Sequence, residues 1–452
     1  MPALSAHTSP FLRTCCVVVF LALISTVDLQ AAEPAYQITV VTDREDALYD
    51  AGEEAKFLVS VLKDGEAVNE GTVSFAVDDF LTEYPPKSGF PAGTRDLTGG
   101  VVVIAVTSEK PGFLRCVASY TPPGGEMMQA LAGAGFSPLQ IGPSLPVPED
   151  FDAFWNEQKR KLAEVPWEPT LTPVEQEDGA IACFDVQIPC LGEVPVSGYF
   201  AKPTVAAARS LPAILWVQGA GVRSSILGNA LRGAKEDMLS MDINAHGIPN
   251  GKPDEFYAEL SSNRLNNYPQ AGRESRDTIY FRGMFVRLVR AIDFLTSQPE
   301  WDGEHVIVVG HSQGGGQALA AGGLDSRVTL IASGVPAICD HAGRAAGRVN
   351  GWPKLVPTRD DGTPDPEILQ AAQYVDAVNF ASRCQAEAIM SVGFIDMVCP
   401  PSTCYAAYNL LRGHKQMINV PLMGHAATPE IDAAFWERIL EHAGKVPVES
   451  GK

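Results

Sequence analysis

The chain has 452 residues, 46% of them hydrophobic and only 19% charged, which is enough for a large core and about two domains and excludes a disordered chain. Its 34 basic against 54 acidic residues leave a formal net charge of −20. That balance repels phosphate backbones and anionic headgroups, and no run of Lys and Arg overrides it, so neither nucleic acid nor a membrane surface is an expected partner.

In chain order, the first 32 residues read as an export signal: Arg13, the apolar run CCVVVFLALISTV from Cys15 to Val27, then small residues at Ala31 and Ala32. The run is too short to span a bilayer comfortably, and an N-terminal anchor is the alternative. The expected location is secreted or periplasmic. Loss of this segment leaves seven cysteines, an odd number. Cys183 with Cys190, or Cys399 with Cys404, can form disulfides in an oxidising compartment, but buried free thiols are the plainer expectation. None has CxxC or zinc-ligand spacing, so no metal is expected.

Residues 36–137 read as strands, with YQITVVT, AKFLVSVL, GTVSFAV, GVVVIAVTS and FLRCVASY separated by KDGE, LTGG and KPG turns. The pattern predicts a small all-β, immunoglobulin-like sandwich without a catalytic cluster, serving as a spacer or oligomer contact ahead of carbohydrate binding. Pro138, Pro143, Pro146 and Pro148 mark 138–148 as a linker. A helix follows in PEDFDAFWNEQKRKLAEV, with Pro148 at its start. From 149 to 445 the signal is α/β: apolar strands alternate with helices, predicting a mostly parallel, doubly wound sheet with an antiparallel edge hairpin in ACFDVQIPCLGEVPVSGYFAKP. Phe281, Phe285, Leu288, Val289, Ile292 and Leu295 form an apolar helical stripe, with Arg282, Arg287, Arg290 and Asp293 off it.

The strand HVIVV leads into Gly310-His311-Ser312-Gln313-Gly314 and then a helix beginning in GGGQALAAGGLD, the strand-to-helix elbow that lifts a serine above a sheet edge. A phosphate loop is the other use of such glycines, but Gln317 and Ala318 follow Gly316 where Lys and Ser or Thr are needed. A serine nucleophile needs a base and an orienting acid, in the chain order Ser, Asp, His. Of eight histidines, His414, His425 and His442 come late enough. His414 and His442 read as surface residues. His425 ends MINVPLMGH at the sheet's carboxyl edge, where Ser312 must also stand. Asp396 closes AIMSVGFID in the same way, a helix-capping carboxylate being its alternative role; Asp340 and Asp376 are weaker rivals. The oxyanion donors expected are the backbone N–H groups of Gln313 and of Ala220 in Gln218-Gly219-Ala220-Gly221.

YFRGMFVRLVRAIDFL, GHSQGGG, ASGVPAICD and DMVCPPSTCYAAYN, followed by a terminal Gly-His, resemble the acetyl xylan esterase and cephalosporin C deacetylase family of α/β-hydrolases over roughly Pro146 to His442. The resemblance implies removal of acetyl groups from short xylo-oligosaccharides and related small esters, and a homo-oligomer. It places the nucleophile at Ser312, the acid at Asp396, the base at His425 and the oxyanion donors at Gln313 and Ala220, with no cofactor. The sequence departs from the family at three motifs. His246-Gly247 stands near the usual Arg-Gly-Gln, His425-Ala426 replaces His-Glu, and Gln218-Gly219-Ala220 replaces His-Gly-Tyr. The family's compact members also lack the N-terminal sandwich. The expected protein is thus a serine esterase of acylated saccharides; a prolyl-oligopeptidase-type peptidase and a hydrolase-like binding module are the alternatives.

Overall fold

Alternation in the N-terminal strands sets their faces. In Glu54–Lys63, Ala55, Phe57, Val59 and Val61 are fully buried while Glu54 and Lys56 point outward. This strand pairs antiparallel with Tyr36–Thr42 and Val101–Thr107. A second sheet runs in the order Leu48–Tyr49, Met128–Phe136, Gly112–Tyr120, Thr72–Asp78, Ala92–Asp96. Phe57, Val59, Val77, Leu114 and Phe136 fill the space between the two. In this computed structural model the described residues are 36–81, 89–177 and 179–445, so the expected export signal at 1–32 lies outside them.

The larger sheet has nine strands, in the spatial order Thr170–Pro173, Ile181–Ile188, Val196–Pro203, Leu239–Ile243, Leu211–Val217, Trp301–His311, Leu330–Gly334, Glu387–Gly393, Lys415–Val420. The first three and their junction with the fourth are antiparallel; the rest are parallel. Period-two alternation divides each central strand between two cores. Leu215 and Val308 pack with Phe281, Phe285 and Leu288 of the helix Tyr280–Thr296. Ile214, Ile307 and Ile389 pack on the other face with Ile431, Phe435 and Ile439 of the helix Pro429–His442. No helix among the described residues is long and apolar enough to cross a membrane.

Three sequence expectations need correction: the arginines off the apolar stripe, the start of the early helix and the exposure of His442. Arg287 and Arg290 are buried: the first donates to the Ala245 carbonyl at 2.6 Å, the second to the Leu162 carbonyl at 2.9 Å. Their guanidinium groups satisfy carbonyls that the apolar stripe cannot reach. The early helix runs Phe151–Ala163, with Pro148 ahead of it accepting from the Phe151 N–H. Within the proline-rich stretch, the Pro138 and Ile141 carbonyls accept from Asn409 and the Gly142 carbonyl from Arg348. His442 is half-buried and hydrogen-bonded to Thr329 Oγ1 at 2.9 Å. The seven cysteines from Cys116 onward are buried free thiols.

Candidate active site

Ser312 sits between the strand Trp301–His311 and the helix Gln313–Leu324 with φ 58° and ψ −122°, a conformation that costs a non-glycine residue roughly 1–3 kcal/mol. Three hydrogen bonds hold it there. Its N–H donates to the Gly334 carbonyl at 2.8 Å, and its carbonyl accepts from Gly316 at 3.1 Å and Ala337 at 2.9 Å. The flanking glycines are sterically required, because a Cβ on Gly310 would lie 2.5 Å from the Gly314 carbonyl carbon and one on Gly314 2.3 Å from the Val217 oxygen.

His425 and Asp396 come from the turns after the last two strands. His425 Nε2 is 2.9 Å from Ser312 Oγ, and its Nδ1 is 2.8 Å from Asp396 Oδ2. The other Asp396 oxygen accepts the N–H groups of Val398 and Cys399, at 2.8 and 2.9 Å. The carboxylate side chain is 0% exposed and the imidazole 26%, so the acid is dry while the base is reachable from solvent. The carboxylate fixes the tautomer: Nδ1 carries the proton and Nε2 is free to accept one from Ser312.

Gln313 opens its helix, so its N–H has no intrahelical acceptor. Ala220 lines the same cleft, a space of about 480 Å³ bounded also by Gly219, Arg223, Ser312, Trp352, Val398 and His425. The turn carrying Ala220 is pinned from several sides. Gln317 Nε2 donates to the Gln218 carbonyl at 2.9 Å. Tyr268 O–H donates to Gln313 Oε1 at 2.6 Å and accepts from the Gly221 N–H at 3.4 Å, tying the two sides of the cleft together. His246 contacts the Gly221 carbonyl through Nε2 at 3.0 Å and the Tyr280 hydroxyl through Nδ1 at 2.7 Å. Burial pushes the His246 imidazole down to about 4, so it is neutral at pH 7, donating from Nε2 and accepting at Nδ1. Asp242 is buried and accepts from Ile226 N–H, Gln218 Nε2 and Asn229 Nδ2 at 2.8–2.9 Å, while burial pushes its carboxyl up to about 6.

The structure therefore brings Ser312, His425 and Asp396 into one hydrogen-bonded relay, with Gln313 and Ala220 beside it. The rivals stand elsewhere. Asp340 accepts from Ser144 and Arg348, and Asp376 from the Asp340 and His341 N–H groups. Asp396, Cys399 and His425 offer three ligand atoms within 4.8 Å of one another. Burial, together with nearby Cys404 and Asp396, pushes the Cys399 thiol well up. Sequence reasoning missed Tyr268, Asp242 and the role of His246. A carboxylate inside the apolar strand LSMDI was a readable signal for Asp242; nothing in NNYPQAG marked Tyr268.

The profile of the acetyl xylan esterase (AXE1) family matches residues 141–442. Acetyl esterase Axe7A from Xylanibacter ruminicola is 33% identical over 402 residues, covering 87% of this chain and 88% of its own. The solved acetyl xylan esterase from Paenibacillus sp. R4 is 28% identical with a TM-score of 0.59, over 68% of this chain and 98% of its own. Acetyl Xylan Esterase 1 from Thermoanaerobacterium sp. JW/SL YS485 shares the fold, with a TM-score of 0.58 and 24% identity over 67% of this chain and 97% of its own. The larger unit of the molecule is accordingly an α/β-hydrolase with a mixed sheet. With the profile spanning most of the chain and the Xylanibacter relative most of the remainder, this protein belongs to the acetyl xylan esterase family of carboxylic ester hydrolases.

Proposed function

We propose that the chain is a serine esterase that removes acetyl groups from short acetylated saccharides, xylan-derived ones among them, through an acyl-enzyme on Ser312. The observation that carries the mechanism is the relay from Ser312 Oγ to His425 at 2.9 Å and on to Asp396 at 2.8 Å. As Oγ attacks the acetyl carbonyl, His425 Nε2 takes its proton, and Asp396 stabilises the imidazolium through Nδ1–H. Negative charge develops on the former carbonyl oxygen, and the backbone N–H groups of Gln313 and Ala220 are the donors assigned to stabilise it. His425 then gives the proton to the departing sugar oxygen. A water activated by the same imidazole attacks the acetyl-serine, and acetate leaves. The xylan-derived alcohol rests on the names of the relatives and on a cleft open enough for a sugar ring.

The same reading treats residues 1–32 as an export signal and the enzyme as secreted or periplasmic. It takes 36–137 as an immunoglobulin-like sandwich, 138–148 as a linker and 149–445 as the catalytic domain. Purified protein and its Ser312→Ala variant, assayed on p-nitrophenyl acetate, acetylated xylan and peptide amides, test the central claim. Loss of the nucleophile should lower kcat on the order of a millionfold. Equal hydrolysis by the variant would remove Ser312 from the mechanism, and amide cleavage faster than ester cleavage would replace the esterase by a peptidase.

A further inference from the structure

The turns bearing Asp396 and His425 are stitched to each other before they meet the serine. Phe394 N–H donates to the Val420 carbonyl at 3.1 Å and Ile395 N–H to the Met423 carbonyl at 3.2 Å. Gly393 permits this closeness, since a Cβ there would lie 2.3 Å from the Met423 oxygen. Acid and base thus occupy one corner of the sheet, and whatever seats that corner seats both.

The seat is the N-terminal sandwich. Gly133, in the strand Met128–Phe136, donates its N–H to the Pro421 carbonyl at 3.0 Å. It also presses on Phe394 so closely that a Cβ would come within 2.4 Å of both the Phe394 Cβ and its carbonyl oxygen. From the neighbouring strand, the Phe113 ring meets Phe394 edge-on at 4.9 Å and Tyr405 at 5.5 Å, the latter on the helix that follows the acid's loop. Gly135 leaves room for that ring, as a Cβ on it would stand 2.8 Å from Phe113 Cε1. Phe113 and Phe394 belong to the same apolar cluster under the catalytic sheet, and not to the sandwich's own core.

We infer that the sandwich is a positioning element of the active site, with Gly133 and Phe113 setting where Asp396 and His425 stand relative to Ser312. The inference rests on the triad reading above. Gly133 meets the Phe394 carbonyl and Cβ, atoms whose positions no rotamer changes, so a displacement there is handed to Asp396 just beyond. A misplacement of about 1 Å in such a constellation costs on the order of a hundredfold in rate. The 87% of this chain aligned with the Xylanibacter esterase exceeds what residues 141–452 can supply, so that relative extends into the sandwich. The solved Paenibacillus enzyme, matched over 68% of this chain, is nearly exhausted by the hydrolase unit, so this seat belongs to the longer chains.

Full-length Gly133→Ala and Phe113→Leu variants test the inference, with Val103→Thr on the sandwich's exposed outer face as control. Two readouts separate positioning from mere stabilisation. These are kcat and KM on p-nitrophenyl acetate per fluorophosphonate-titrated site, and the time course of inactivation by that fluorophosphonate. Positioning predicts that Gly133→Ala loses roughly tenfold to a hundredfold in kcat with KM unchanged, and that all sites inactivate in one slower exponential. Phe113→Leu should show the same signature with a smaller loss, and the control should match wild type. Reduced amplitude at the wild-type inactivation rate, or an undiminished kcat, in the folded variants overturns the inference. If Gly133→Ala does not fold, Phe113→Leu decides. Failure of the triad reading looks different, because Ser312→Ala would then retain activity.

Discussion

Tyr268 is the residue on which both halves of the oxyanion region converge, since one hydroxyl donates to Gln313 Oε1 and accepts from the Gly221 N–H. Tyr268→Phe leaves a buried amide oxygen unpartnered, which costs about 1–3 kcal/mol. Because that strain falls on the turn of Ala220, the variant should lose roughly tenfold in kcat for each 1.4 kcal/mol that reaches the transition state, with KM little changed. Steady-state kinetics alongside a melting curve would check both effects; a lower melting temperature with kcat intact would confine Tyr268 to stability. The relay itself was legible in the sequence, because chain order and strand ends singled out Ser312, Asp396 and His425. Tyr268 was not, since its importance comes from a fold that brings it beside Gln313. The departures at Gln218 and His246 also make sense only in three dimensions. Gln218 is held by Asp242 and Gln317, and His246 holds the Gly221 carbonyl, so the turn is fixed by a different set of polar groups.

Among elements, the helix Gln313–Leu324 is the one whose composition contradicts its structure. Its QGGGQALAAGGL sequence carries five glycines, each of which disfavours a helix by about 1 kcal/mol relative to alanine. Packing overrides propensity, because the first turn must lie against three pieces of backbone. A Cβ on Gly314 would come 2.3 Å from the Val217 oxygen, on Gly315 2.7 Å from the Gly334 oxygen, and on Gly316 2.3 Å from the Ala337 oxygen. Gly314→Ala should therefore destabilise by about 1–3 kcal/mol despite better helix propensity, and should lower kcat by pushing the Gln218 turn off the serine. Denaturant unfolding with kinetics on the same sample would show it, and a more stable, fully active variant would refute it. The strand Met128–Phe136 escaped sequence reading for a related reason. MQALAGAGF lacks β-branched residues because Gly133 and Gly135 must admit Phe394 and Phe113. Where a neighbour's backbone sets the residue, local propensity carries little information.

At the scale of the molecule, the sandwich keeps its own core but also sends residues into the apolar cluster of the nine-stranded sheet. Ala47, Phe80, Phe113 and Ile141 lie in the cluster that contains Leu215, Phe285 and Phe394. The described residues from Tyr36 onward also form a single compact unit. An interface that is part of a core does not part at low cost, so calorimetry should record one endotherm for sandwich and hydrolase together, with loss of activity coincident. Two separated transitions would mean that the shared cluster is energetically divided. The sequence pattern separates an all-β stretch from an α/β one but does not show this continuity, because alternation tells which face is buried and not against what. The seat on the sandwich has a consequence for how the enzyme comes into being. The ribosome delivers Phe113 and Gly133 early, Ser312 much later, and the corner of Asp396 and His425 last. A nascent chain therefore holds a serine elbow without its base over the 113 residues that separate Ser312 from His425. Esterase competence arrives only when the final corner closes onto a surface made long before it, so an interrupted chain is also a silent one.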